Sequence, residues 1–496
     1  MIRDESRLRD GGPRAGAADC DPAQGSVVFS TLWALAVLTH VWNQGSGAGW
    51  PLAPSPITDP LYWLVLVAAL SLLYEPSSAS RLVALAGSTV VAVVAQMPMI
   101  ANHWLLAGVV SVGVLVSALR LRMMHPRLDL HVLVTDFAPL ARLALLTSYG
   151  AAALAKLNTT FLDPTESCAV AVTRTITTFW GLPNPVAAAG LRVAPVATVS
   201  LELAIPVLLV WRRTRAPGIV LAGALHLAMA SGPVLRVLDF TVILFALLVL
   251  FDPVAFGRLR TGVAGALQRH APSLRRSVLS PPVRIAIVAV LGAIIGLRGL
   301  VLPNGRFMAT WFLVLAGAGV LFLGGLLALA WSGSFRSSPS IEILPRRVGH
   351  WLLVVLILVS AASPYLGLRT VGTFSMFSNL RTEQVETNHL FLPRLAYFTA
   401  QDDLVEVISS SDPWLEEAAQ HGDLINLVEV RRHVETDPDV SLRFVHDGRE
   451  IAVERASDHP LLQPLGWLER RIQRYRTFMR DDPGSHACGR FAGPDR

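Results

Sequence analysis

The chain has 496 residues, 52% of them hydrophobic and 16% charged, with a mean hydropathy of +0.50. That balance excludes an ordinary soluble enzyme, because the apolar residues run on for the ~20 residues a helix needs to cross a bilayer. The net charge of +6 does not indicate nucleic acid, since the basic residues lie between apolar runs rather than on one face or tail.

Residues 1–25 mix Arg, Asp, Gly and Pro and read as a disordered cytoplasmic tail. This stretch is long and carries both charge signs, so the first apolar run reads as a signal anchor and not a cleaved signal peptide. Apolar runs at 26–43, 58–74, 82–100, 102–119, 132–157, 185–211, 217–231, 236–252, 283–302, 308–331 and 349–368 predict about ten or eleven spanning helices. Residues 168–181 are too short to span and suit an interfacial helix anchored by Trp180. A core at 26–256 is thus followed by a basic, Pro-interrupted linker at 257–282, more spanning helices at 283–368 and a small domain at 369–496. In that domain Val405–Val407 and Leu424–Val430 look like strands, 441–453 a hairpin around Asp447-Gly448, and 460–480 an amphipathic helix. The fold class expected is an all-α polytopic membrane bundle with a small C-terminal extracytoplasmic α+β domain.

Loop arginines set the orientation. With the N-terminus inside, the connections at 75–81, 120–131, 212–217, 257–284 and 332–348 are cytoplasmic, and all of them carry arginine. The opposite connections hold only Arg174 and Arg306, with Arg192 and Arg236 near span ends on that side. The asymmetry predicts a multi-pass plasma-membrane protein with 369–496 outside. Cysteines introduced at Ser46 and Gly448 are expected to react with an impermeant maleimide in intact cells. Reaction only after permeabilisation would reverse the orientation.

The three cysteines, Cys20, Cys168 and Cys488, show neither metal-ligand spacing nor a disulfide framework, and no metal site is expected. There is no P-loop, dinucleotide fingerprint, HExxH or nucleophile elbow. What stands out is the polar content of the spans, where each ionisable group costs several kcal/mol. Of 42 basic residues, 41 are Arg, and the one lysine is Lys156 at the end of the fifth span. It reads either as a snorkelling anchor or as a titratable amine. Burial favours a neutral amine, whereas a guanidinium stays charged. Asn102 and His103 occupy a tight turn on the same side of the membrane, as a helix cap with an idle histidine or as part of one pocket with Lys156. His226 in span seven reads equally as a structural histidine or a site residue. Glu202 in span six needs a partner or a proton at its depth. Arg142 and Asp239 suit structural charge partners, and Met376 and Phe377 follow the last span where they could cover a pocket.

Ala153-Leu154-Ala155-Lys156-Leu157-Asn158 is similar to the lysine-bearing segment of the vitamin K-dependent gamma-carboxylases and of the bacterial membrane proteins sharing their HTTM domain. Ala101-Asn102-His103-Trp104-Leu105 resembles that family's Asn-His segment. Phe374-Ser375-Met376-Phe377, after Ser363-Pro364-Tyr365, resembles the stretch leaving its last span. Ala224-Leu225-His226, after Glu202 and the Arg212–Arg215 turn, also fits in order and spacing, and the hairpin at 441–453 resembles the start of the lumenal domain. The resemblance extends loosely over residues 26–455, with no motif specific alone.

The resemblance implies a membrane enzyme using a reduced naphthoquinone of the vitamin K or menaquinol type. Lys156 would be the base that deprotonates the hydroquinone, with His103 assisting. Oxygen would then give a strongly basic alkoxide that deprotonates a glutamyl γ-carbon for carboxylation. Asn102, Glu202, His226, Met376 and Phe377 would line the quinone pocket. Membrane lipid, the quinol and an extracytoplasmic protein or peptide would be its partners. The soluble domain is far shorter than the carboxylase's, which leaves the acceptor open. Two other readings stand beside this one. In the first, a lipid-binding or transport bundle uses Lys156 for an anionic headgroup. In the second, a membrane scaffold recruits a partner through its external domain.

Overall fold

A computed structural model describes residues 22–44, 59–232, 237–273, 280–296, 317–328, 331, 340–383, 387–395 and 397–479. Helices account for most of the apolar runs: α1 Ala23–Gln44, α2 Pro60–Tyr74, α3 Ala79–Gln96, α4 Asn102–Met124, α5 Leu130–Ala155, the short α6 Thr159–Leu162, α7 Cys168–Phe179, α8 Asn184–Val210, α9 Arg215–Ala230, α10 Leu238–Val249 and α11 Pro253–His270. After them come α12 Pro281–Gly296, α13 Gly317–Ala328 and α14 Val348–Leu366. Among the described residues α1, α3, α4, α5, α8 and α14 are long and apolar enough to cross a membrane. The pair α10–α11, bent by 104°, adds a seventh if it is one span. The expected ten or eleven is therefore not reached on length; α2, α7, α9, α12 and α13 are apolar but shorter.

Local chemistry fixes several helix starts. The carboxylates of Asp59, Asp129 and Asp252 accept the N–H of Leu61, Val132 and Ala255 at 2.7, 2.9 and 3.0 Å, satisfying orphan donors in the first turns of α2, α5 and α11. The Asp252 cap and Pro253 at the first helical position make 253–270 a helix, where the basic composition from 257 suggests a linker. Inside the bundle α1 touches α2, α5, α10 and α11, and buries Phe29, Trp33 and Trp42 among them. α14 packs on α4 and α5 and leaves Leu352, Val355 and Leu356 exposed, as a lipid-facing helix would. Arg142 is buried in α5 but does not pair with Asp239. It donates to the carbonyls of Leu250 at 2.8 Å and Glu342 at 2.7 Å.

The tail is an antiparallel five-stranded sheet in the order β4-β3-β1-β2-β5, made of β1 Leu404–Ser410, β2 Asp423–Asn426, β3 Leu442–His446, β4 Arg449–Val453 and β5 Phe478–Met479. α15 Pro413–His421 and α16 Leu427–Val434 complete it, around a core that includes Val405, Leu415, Ile425, Val430 and Phe444. The β3–β4 turn places Asp447 and Gly448 at φ +50° and +73°, as a two-residue hairpin requires. Two sequence readings are corrected here. The strand expected over 424–430 stops at Asn426, whose side chain accepts Val428 N–H at 2.9 Å and starts α16. The helix expected over 460–480 is a 3₁₀ turn at Pro460–Leu462, a single turn α17 Trp467–Arg471, and β5, because Pro460, Pro464 and Gly466 interrupt it. Cys168 is disulfide-bonded, which the cysteine spacing did not suggest.

The segment after α14 ties the sheet to the bundle. Gly367 ends α14 in the left-handed region, at φ +76°, and a Cβ there would meet Phe398 O at 2.2 Å. Thr370 N–H donates to Arg474 O at 2.9 Å and Tyr475 OH to Gly367 O at 3.0 Å. Buried Glu383 accepts one edge of the Arg476 guanidinium, Nε at 2.7 Å from Oε1 and Nη2 at Oε2.

Candidate functional site

A mainly apolar cavity of about 210 Å³ lies among α4, α5, α7, α8, α9 and α10, beneath the loop at 374–377. A single water needs only ~10–15 Å³ of such space, so the cavity accommodates an organic ligand. Asn102, His103, Lys156, Glu202, His226, Met376 and Phe377 all line it. Seven residues spread from 102 to 377 therefore share one enclosure, although α4 and α9 are separated along the chain by four other helices.

Lys156 caps the C-terminal end of α5 and is 4% exposed. Its Nζ lies 2.9 Å from Glu202 Oε2, 3.2 Å from Met376 O and 3.4 Å from Ala152 O, with the Phe161 ring centroid 5.8 Å away. The two carbonyl oxygens accept hydrogen bonds from the amine. The approach to Glu202 is an ion pair by distance, without hydrogen-bond alignment. The amine is therefore paired with a carboxylate and does not stand alone on the cavity wall. Snorkelling to headgroups is ruled out by the same geometry, since the amine turns into the bundle.

Glu202 sits in α8 between Pro195 and Pro206. Across the cavity, Asn102 opens α4 and accepts His103 N–H at 2.7 Å. His103 Nε2 is 2.9 Å from Asp239 Oδ2. His226 meets the ring of Phe240 edge-on, with centroids 4.8 Å apart, and Phe240 also stacks against His103 at 5.6 Å. Tyr149 also meets His226 edge-on, with centroids 5.8 Å apart. Met376 contributes its carbonyl, not its thioether, to Lys156. Phe377 adopts φ +53°, uncommon for a bulky residue, and Asn379 φ +52°. The loop is held there by Asn158, which donates to Ser378 O at 2.6 Å, and by Asn379, which accepts Cys168 N–H at 2.7 Å and donates to Glu166 O at 3.1 Å.

Sequence reasoning missed His40, Asn158, Tyr149 and Phe240 as parts of this region. His40 is fully enclosed in α1, its Nδ1 2.9 Å from Asp239 Oδ2 and its ring 3.7 Å from that of Trp104. A histidine inside an apolar run was the available signal. Asn158 had none beyond its place next to the lysine segment. Comparison with protein-family models, curated proteins and solved structures finds no match for the chain.

Proposed function

We propose that the cavity binds a reduced naphthoquinone, of the vitamin K or menaquinol type, and that the Lys156–Glu202 pair receives its phenolic proton. One observation supports this above others: a buried lysine–carboxylate pair 2.9 Å apart on the wall of an apolar, ligand-sized cavity. A phenol is a weak acid whose ionisation in a dry site needs a proton acceptor and a nearby cation together. The pair supplies both. The hydroxyl proton passes to the carboxylate, directly or through the amine, and the oxygen keeps its electron pair facing the ammonium. The base expected at Lys156 alone becomes a two-residue unit. The resemblance to the HTTM and vitamin K-dependent carboxylase class rests on the sequence segments around Asn102, Lys156, His226 and Phe374, and it supplies the reaction class: quinol oxidation by dioxygen, acceptor unspecified. In this reading the sheet domain and the cavity lie at the extracytoplasmic end, where a protein or peptide acceptor would arrive.

An anionic lipid headgroup is the competing ligand. Glu202 counts against it, because the lysine's charge is already matched and a second anion would be buried without compensation. The protein in detergent, mixed with 1,4-naphthohydroquinone, is expected to consume oxygen at a rate above the enzyme-free reaction and to retain quinone in extracts of the native preparation. Phospholipid in place of quinone, with no added oxygen uptake, would reject the enzyme reading.

A further inference from the structure

Residues 388–395 and 397–398 run as a strap across the ends of two helices. Leu390 N–H donates to Leu157 O at 2.9 Å, just past the end of α5. The N–H groups of Leu395 and Phe398 donate to the carbonyls of Tyr365 and Leu366, both at 3.0 Å, in the last turn of α14. His389 supplies a further fastening. Its Nδ1 accepts the N–H of Phe391 at 3.0 Å and of Leu392 at 2.9 Å, so its Nε2–H is the donor to Leu154 O at 2.9 Å. Pro393 has no N–H to satisfy. The backbone donors from Leu390 to Leu392, and those of Leu395 and Phe398, are thereby all used within the protein. The side chains divide between two directions. Leu392 packs inward against Ala155, Tyr365 and Leu380. Leu390, Phe391, Leu395, Tyr397 and Phe398 are exposed, Phe391 by 71% and Tyr397 by 75%.

We propose that this strap is an interfacial anchor, seated in the phospholipid leaflet at which α5 and α14 end. α14 has 19 residues. At 1.5 Å per residue that is about 28 Å, close to the ~30 Å hydrocarbon core, so Tyr365 and Leu366 mark one of its borders. Hydrogen bonds to those two carbonyls fix the strap at the same level. The exposed apolar surface of α14, which includes Leu352, Val355 and Val359, is continued past its last turn by Leu395 and Phe398. Single apolar side chains at a surface are ordinary, but five large ones in one short stretch form a patch that needs a cover. Tyr397 combines an apolar ring with a hydroxyl tip, which suits the headgroup level. A backbone whose donors are already satisfied tolerates the loss of water. The same property disfavours a peptide adding to the strap as a strand, because strand addition needs free backbone donors. The strap also carries Asn388, whose Nδ2 donates to Asn379 O at 2.8 Å and to Asn158 Oδ1 at 3.2 Å. Lipid contact therefore steadies the loop over the cavity, whatever the cavity binds.

The full chain in nanodiscs of phosphatidylcholine and phosphatidylglycerol tests this. The photoreactive residue p-benzoylphenylalanine is placed in turn at Phe391, Tyr397, Leu356 and Asp447. Leu356 is exposed on α14, and Asp447 lies at the β3–β4 turn of the sheet. After irradiation, phospholipid adducts are expected at Phe391 and Tyr397 as at Leu356, with none at Asp447. Adducts at Leu356 alone would overturn the proposal. Adducts from Phe391 and Tyr397 to a second protein chain would do so as well, and would make the patch a protein-docking surface. The second measurement uses Phe391→Asp/Tyr397→Asp in the same nanodiscs. Two carboxylates should lift the strap from the leaflet, so hydrogen exchange at the Leu395 and Phe398 amides is expected to quicken about tenfold, with the β3–β4 hairpin unchanged. Unchanged exchange at both amides would reject the anchor. If that double variant does not fold, the photoadducts still decide.

Discussion

Alanine at Lys156 is expected to lower quinol turnover by about 10²–10⁴-fold, the usual worth of a positioned proton-transfer group. It should also destabilise the bundle by about 3–5 kcal/mol, because Glu202 is left as a buried charge with no cation. The side chains are only 5% and 11% exposed, so solvent does little to screen the loss. A stability effect of that size would obscure the chemistry, and the double variant Lys156→Met/Glu202→Leu separates them. Removing both charges together should restore most of the thermal stability while leaving quinol turnover abolished. Lys156→Arg adds a third arm. Arginine keeps a cation beside Glu202 but presents a planar fork where Nζ meets Met376 O and Ala152 O from different directions. A partial loss of activity is expected. Full activity in the double variant would end the proposal that this pair handles the proton. Full activity in Lys156→Arg would confine the lysine to holding a positive charge.

Much of the bundle could be read from one dimension because membrane helices declare themselves by length and composition. The run at 102–119 becomes α4 at Asn102–Met124, and 132–157 becomes α5 at Leu130–Ala155. The cavity residues were legible for a related reason: Lys156, Glu202 and His226 are ionisable groups in apolar surroundings, and few such groups lack a role. Their partners were harder. Asp239 invites pairing with Arg142 on charge alone, yet it binds His40, 199 positions away, while Arg142 goes to carbonyls. Asn158 acts on Ser378, 220 positions on, a contact that no local pattern encodes. In the tail the errors were local. Leu424–Val430 is rich in strand formers, but a capping side chain at Asn426 outweighs propensity there.

The second large effect is expected outside the membrane, at the joint between sheet and bundle. Arg476→Ala should loosen the tail by about 3–5 kcal/mol, because it strands Glu383, whose side chain is 1% exposed. Burial alone would raise the Glu383 carboxyl. The Arg476 charge, its paired hydrogen bonds and the N–H groups of Thr382 and Glu383 itself outweigh that and hold the group below its ordinary 4.5. The sign of the pH dependence follows. A carboxyl with a lowered folded pKa stabilises the protein fully above the unfolded value, and that contribution disappears as pH falls through the folded value. Docking of the tail should therefore be constant from neutral pH down to about 4.5 and weaken below it. Hydrogen exchange of the whole protein in detergent reads this locally, since Thr370 N–H donates to Arg474 O and Arg476 N–H to Thr370 Oγ1. Peptides from 367–383 and 470–479 should exchange faster together in Arg476→Ala at neutral pH, and in the wild type only under acid. Glu383→Gln is neutral at every pH, so it should weaken the joint at neutral pH yet flatten its acid response. An acid response as steep in Glu383→Gln as in the wild type would assign that titration to another group.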